Sequence, residues 1–464
     1  MLATISSVFL EASKAAHLWC YVLTKSAYGL KDAPLMWFLK LREFLLVTLH
    51  FIQSRHDPCL FYKLQSNTVP NKFKGDDMFS SEIIIALNLH VDDLLVTGTL
   101  EEMTWLENAM RTEFIEITTE KNHFRHYGVD CFRCPQTFNV YSSQSDYLAE
   151  IHSIELEKPK ASKETLCSAA EVTEYRSVVA ALAWVGVTFA PACAAGSLFQ
   201  GFLPTPNYEQ CRQVNLVLAQ IKVEYRPLMS LSCLKGPIQI VTISDSSLGN
   251  SSKRSQGGFY VLLTNKDDRF ICGPCTPIAY KSSKSKRVAS STSHAETLAC
   301  VAALEESAFL QTWLTELQHP RMTAAELIAH VPTVQIRSCI DCRDVFEMLI
   351  NQGTPTPVNR AQTLYIETLR EHQQQHRVSE YVWVDTRDNI ANALTKFKQD
   401  GLLDLNDLQV YHESSIWEPL QPYRFGSSQL QDPYPVVVTK FKPMPPSTKE
   451  MQEKVVATEV EIEE

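Results

Sequence analysis

The sequence predicts a mixed α/β chain, and three observations lead there. Apolar runs of strand length recur along it, bounded by acids or turn residues. Between them lie longer segments whose apolar residues return every three or four positions. Residues 236–400 join the two patterns in the order βββαβααβα. The 464 residues, 45% hydrophobic and 21% charged, hold apolar material enough for two or three domains.

Each element rests on its own pattern. Trp37 to Leu49 reads as a helix, with Phe38, Leu41, Leu45 and Leu49 near one face. Asn67 to Ser81 is polar and reads as a loop. Ile83 to Leu89 is a buried-strand run, stopped by Asp92 and Asp93 and resumed in Leu94 to Val96. That is a strand–turn–strand reading. Residues 140–235 look mainly helical, with helix patterns over Tyr175 to Phe189 and Gln210 to Ile221. From Ile238 the texture changes. Ile238 to Ser244, Gly257 to Thr264 and Phe270 to Tyr280 read as three strands. Ser293 to Leu317 is a long helix, with Leu310, Trp313, Leu314 and Leu317 at helical spacing. Thr333 to Ile340 is a fourth strand, Arg343 to Ile350 and Arg360 to Glu371 are helices, and Val378 to Val384 is a fifth strand. Asn389 to Lys396 opens a last helix. Beyond it the chain turns rich in Pro, Gln and Ser, and from Pro443 it reads as a disordered acidic tail.

Composition narrows the function classes. The 13 cysteines are scattered, and no CxxC pair is matched by another at metal-ligand spacing, so reduced thiols in an intracellular protein are expected. The first nineteen residues lack the basic start and long apolar core of a secretory signal. No uncharged run approaches the ~20 residues of a membrane span. The expectation is a cytoplasmic or nuclear protein with no membrane partner. A net charge of -10 argues against a dedicated nucleic-acid binder. Locally the balance reverses. Lys253, Arg254, Lys266, Arg269, Lys281, Lys284, Lys286 and Arg287 are opposed only by Asp267 and Asp268. Such a field binds a polyanion inside an acidic chain.

Acids at strand ends are the candidate site. Asp245 ends the first strand of the second half, Asp341 ends the fourth, and Glu296 lies in the first turn of the long helix. Two strand-end carboxylates and one on a crossing helix are able to converge on divalent cations, which activate water and stabilise a leaving phosphodiester oxygen. Taken singly, an acid at a strand end is usually a turn residue or a helix cap. Asp92 and Asp93 form an adjacent pair inside an apolar run, costly unless a cation neutralises it or water solvates the turn.

In order along the chain, these segments resemble those of the copia-type retrotransposon Pol polyprotein, a reverse transcriptase fused to a ribonuclease H. Tyr28-Gly29-Leu30-Lys31-Asp32-Ala33-Pro34 with Trp37 resembles its "YGLKqaP" segment, and His56 to Leu60 its "DPCL". Val91-Asp92-Asp93-Leu94-Leu95 is similar to the polymerase signature "YVDDLL", with His90 in place of the tyrosine. Ser142 to Tyr147 and Tyr175 to Trp184 resemble the segments that follow. Ser244-Asp245-Ser246, Lys253 to Phe259, Pro277 to Lys284, Ser290 to Glu296, Ile340-Asp341 and Ala391 to Lys396 are similar, in turn, to the ribonuclease H motifs.

The resemblance implies a truncated reverse transcriptase palm and thumb followed by a five-stranded ribonuclease H-like domain. It divides the chain into a partial palm at 1–135, a helical thumb and connection at 136–235, the ribonuclease H-like domain at 236–400, and an extension at 401–464. It implies that Asp245, Glu296 and Asp341 hold two Mg2+ (or Mn2+) ions and cleave the RNA strand of an RNA–DNA hybrid. Asp92 and Asp93 would bind polymerase metals. Lys31, Trp37, Lys253, Arg254, Lys281, Lys284, Lys286 and Arg287 would hold nucleic acid, mostly by its backbone. Two departures matter. The palm's first aspartate is missing around Ser7, so polymerisation is not expected. The last acid of the ribonuclease falls on Asn392, and Asp388 is the candidate to replace it, or else a helix cap. The alternative to an enzyme is a non-catalytic transposon relic or a repurposed nucleic-acid-binding protein.

Overall fold

A computed structural model describes residues 30–65, 80, 82–114, 117–224, 229–249, 254–266, 273–351, 360–398, 400–403 and 416–417. The mixed α/β class read from the sequence is the class found, with three separate sheets. The chain falls into two compact units, Met1–Ser66 with Ile84–Trp105, and Asn67–Ile83 with Leu106–Glu464.

In the first unit, helix α1 (Ala33–Glu43) starts at Asp32 with Pro34 in its first turn, where proline's missing N–H costs nothing. It runs into one π-helical turn, Phe44–Thr48, rather than continuing as the α-helix expected to Leu49. Leu41 and Leu45 are buried on it. A four-stranded sheet follows in the order β1 (Ile52–Gln53), β2 (Leu60–Leu64), β3 (Ile83–His90) and β4 (Asp93–Gly98). Strands β3 and β4 form the expected hairpin, closed by the pair His90 and Asp93. Val91 takes φ 51°, a conformation that a β-branched residue rarely adopts. The Trp37 indole N–H donates to the Val91 carbonyl at 2.8 Å and holds the turn. Helix α2 (Leu100–Phe114) leads onward.

The second unit begins its own sheets after α2. Strands β5 (His123–His126), β6 (Val129–Arg133) and β7 (Val140–Ser143) form an antiparallel sheet completed by β8 (Met229–Leu231). Helices α3 (Ser145–Glu150), α4 (Ala169–Val185), α5 (Ala190–Gln200) and α6 (Tyr208–Glu224) lie between β7 and β8. Helix α4 opens on a capping box: Ser168 accepts the Glu171 amide, and Glu171 accepts the Ser168 amide.

The largest sheet runs β13–β12–β9–β10–β11–β14. Its strands are β9 (Ile238–Ser247), β10 (Gln256–Asn265), β11 (Gly273–Lys284), β12 (Ile336–Ile340), β13 (Val378–Trp383) and β14 (Ile416–Trp417). The first three are antiparallel, and β12 joins β9 in parallel, with β13 parallel beyond it. Five strands were expected, and these are present. The sixth, β14, is two residues pairing with Gly273 and Pro274, too short to leave a periodic signal. Helix α7 (Thr292–Gln318) is the long helix. A one-turn α8 (Ala324–Ala329), not foreseen, separates it from β12, and α9 (Arg343–Ile350) and α10 (Arg360–Gln374) follow. The last expected helix is instead two 3-10 turns, Thr386–Asp388 and Ile390–Leu394.

Both faces of this sheet are buried, and alternate residues serve different cores. On β9, Ile238 and Ile240 join Phe259, Val261 and Leu304 of α7 in one apolar cluster. Val241 and Ile243 join Tyr260, Leu262 and the inner faces of α4, α5 and α6 in the other. Among the described residues no helix is long and apolar enough to cross a membrane.

Candidate metal centre

Register brings the two acids together, although Asp245 lies within β9, which runs on to Ser247 against β10, rather than ending it as expected. In the parallel pair β9–β12, Ile340 lies beside Ser244, so Asp341, just past β12, and Asp245, on β9, stand at the same level. The Trp383 indole donates to the Asp341 carbonyl at 2.9 Å and fixes that strand end. Glu296 comes from the first turns of α7, whose N-terminus is capped by Ser291 accepting the His294 amide. One oxygen from each of Asp245, Glu296 and Asp341 lies within 4.8 Å of the other two.

The surroundings are built to accept charge. Asp245 and Glu296 are buried, and Asp341 is half-buried. Glu296 Oε1 accepts the Ser246 amide at 3.2 Å, while its buried Oε2 has no hydrogen-bond partner among the described residues. The Thr395 hydroxyl donates to Asp245 Oδ2. Asn389 and Thr386 hydrogen-bond to the Asp341 side chain, and the Asn389 amide also donates to the Ser244 carbonyl at 3.0 Å. Burial pushes all three carboxyls above the usual range, and for Asp245 and Glu296 the neighbouring acids push further. Like charges ~5 Å apart repel by about 3 kcal/mol at an effective dielectric of ~20. Three ionised acids so placed need a cation or protons. Hard oxygen donors and a buried carboxylate oxygen left open, with Asp341 only half-buried, fit a divalent ion.

The other candidates fall elsewhere. Asp388 sits in a 3-10 turn and is outside the group of three. Asn392 is directed into its own segment: its amide donates to the Thr386 carbonyl at 2.5 Å, and its Oδ1 accepts from Lys396 at 3.2 Å. Asp92 and Asp93 stand exposed at the β3–β4 turn, and among the described residues no third acid gathers with them. Lys31 is exposed on the first unit, and Trp37 is engaged with the Val91 carbonyl. Lys253 lies outside the described residues. Arg254, Lys281, Lys286 and Arg287 are exposed along the β10–β11 side. Arg287 lies over the Tyr365 ring at 5.0 Å, and the Lys284 amine donates to the Gly201 carbonyl at 3.5 Å. Thr395, Asn389 and Lys396 were missed as neighbours of the acids. Thr395 and Lys396 belong to the Ala391 to Lys396 motif, which was read for its acid position alone.

Gly258 lies opposite Asp245 in the β9–β10 ladder. A Cβ there would meet Leu394 Cβ at 2.6 Å and Thr395 Cγ2 at 3.0 Å. Its bare backbone lets the segment carrying Thr395 reach Asp245.

A fold with a six-stranded mixed sheet and a three-acid centre is thus defined, and the known proteins it resembles agree with the sequence motifs. No family model matches the chain. The chain is similar to the retrovirus-related Pol polyprotein from transposon RE1 of Arabidopsis thaliana, 24% identical over 310 residues, 64% of this chain and 19% of that protein. It is similar to that from transposon RE2 of the same plant, 24% identical over 393 residues, 81% of this chain and 24% of that one. To that from transposon TNT 1-94 of Nicotiana tabacum it is 22% identical over 326 residues, 66% and 23%. The match thus spans about a fifth to a quarter of the length of these polyproteins. Among solved structures, LC11-RNase H1 isolated from compost matches at 14% identity with TM-score 0.23, covering 34% of this chain and 92% of that one. A crystal structure of LC11-RNase H1 in complex with an RNA/DNA hybrid matches at 12% and 0.23, covering 34% and 94%.

Proposed function

We propose that the second unit is a divalent-metal-dependent ribonuclease acting on the RNA strand of RNA–DNA hybrids, as the ribonuclease H part of a retrotransposon Pol polyprotein. The single observation behind it is the convergence of Asp245, Glu296 and Asp341 at the end of the parallel strand pair. A bound divalent ion would supply an activated water and charge stabilisation for the departing phosphodiester oxygen. Asp245, Glu296 and Asp341 would hold it. Thr395 and Asn389 orient two of these carboxylates by donating to them. The exposed cations Arg254, Lys281, Lys286 and Arg287 provide contacts for phosphates, which position a duplex without reading its sequence. The sheet and the helices α7, α9 and α10 on one of its faces are the ribonuclease H-like domain on this reading, with 1–135 a palm remnant, 136–235 the connection whose helices cover the other face, and 401–464 an extension. Asp92 and Asp93 stand exposed with no third acid gathered beside them among the described residues. The polymerase-like part is accordingly proposed to be inactive.

Asn392 favours a second reading, a relic that binds nucleic acid without cutting it, since its carboxamide is committed to Thr386 and Lys396. One assay separates them. The full chain is incubated with end-labelled RNA–DNA hybrid and Mg2+, beside Asp245→Asn. Cleavage of the RNA strand alone, falling at least about 100-fold in the variant, is the expected result. Hybrid binding without cleavage, in Mg2+ and in Mn2+, would leave the relic.

A further inference from the structure

The three acids have a resident cation beside them. Lys396 follows Thr395, whose hydroxyl donates to Asp245 and whose carbonyl accepts from Ser247 at 3.0 Å. The segment is therefore pinned to the acid site at the residue before the lysine. The Lys396 ammonium donates to Asn392 Oδ1, at the position where the resemblance places an acid. It is exposed, and its charge acts on Asp245, Glu296 and Asp341 alike.

The charge balance differs from that of a four-acid, two-ion site. With Asn392 neutral and Asp388 outside the group, three carboxylates and one ammonium remain. One divalent ion balances them. A second would enter with no further acid to hold it and an ammonium to repel it. We infer that Lys396 supplies the second positive charge of this site, beside a single divalent ion held by Asp245, Glu296 and Asp341. This rests on reading the acids as a metal site, and it replaces the two ions expected from the sequence. Lys396 would act as a positioning residue: its exposed ammonium, beside the acids that would hold the ion, is a donor available to a phosphodiester oxygen.

The test is calorimetric titration of the full chain with Mn2+, nucleic acid absent, counting only uptake that Asp245→Asn abolishes. The wild type should take up one ion. Lys396→Met should bind that ion about tenfold more tightly, as expected for removing one nearby charge at a partly exposed site. The double variant Asn392→Asp, Lys396→Met should take up two. Lys396 is exposed, so its loss leaves the packing intact, and circular dichroism checks this for each variant. Two ions in the wild type, or unchanged affinity in Lys396→Met, would overturn the role of Lys396 and leave the metal site standing. No uptake by the folded wild type would remove the metal site, and the inference with it.

Discussion

At Asp245 the chain puts a carboxylate where burial and its neighbours both oppose its charge. The cost has a measurable sign. The folded chain holds the protons of Asp245, Glu296 and Asp341 more tightly than the unfolded chain does, since all three carboxyls lie above their ordinary range. Without divalent ions, stability therefore falls as pH rises through and beyond about 4. Asp245→Asn removes one of these charges and keeps an oxygen for Thr395. In chelator near pH 8 it should raise the unfolding midpoint by about 2–4 °C. Excess Mg2+ should stabilise the wild type and not the variant. Thermal scans with and without Mg2+ measure both effects. The acids themselves were legible in the sequence, Asp341 at a strand end and Glu296 at a helix start, while Asp245 lies within β9 rather than at its end. Their partners Thr395 and Asn389 were not, because a hydroxyl 150 residues from Asp245, or an amide on a separate turn from Asp341, carries no pattern of its own.

At the scale of elements, long periodic segments were legible and short ones were not. Strands β9, β10, β12 and β13, and helices α7, α9 and α10, stand within a few residues of where periodicity put them, because each buries a full face. Strands β5 to β8 have three to five residues and partly exposed faces, so no alternation betrays them. The last segment was expected as a helix. Asn389 caps the Ile390–Leu394 turn, observed as 3-10, and also bonds to β9, and the segment lies close over Gly258. Gly258→Ala tests that contact. Its new methyl group would force Leu394 and Thr395 away from β10, costing about 1–3 kcal/mol and weakening Mn2+ binding. Gly257→Ala is the control, since its nearest neighbour would be Ala299 Cβ at an ordinary 3.7 Å. Denaturant unfolding of both variants gives the comparison. Equal losses at the two positions would mean that the close approach does not matter.

At the scale of the whole molecule, the sequence showed helices over 140–235 without showing what they cover. Within the second unit they cover the large sheet. Tyr175, Leu182, Phe199, Val214 and Leu218 share one core with Val241, Ile243, Tyr260 and Leu262. Helix α5 is apolar nearly all round, as a helix buried between layers should be. Residues 236–400 alone would expose the face that these helices bury, so the full chain is the unit to assay. Its similarity to part of the transposon Pol polyproteins, its three-acid centre and its exposed cations motivate the proposal that Asp245, Glu296 and Asp341 would hold a divalent ion serving phosphodiester hydrolysis. Anomalous scattering from crystals of the full chain soaked in Mn2+ tests it most directly. The account predicts one strong peak within about 2.5 Å of oxygens from all three acids, absent in Asp245→Asn. A difference map with no peak at these carboxylates, from crystals in which the acids are ordered and Mn2+ is in excess, would contradict it.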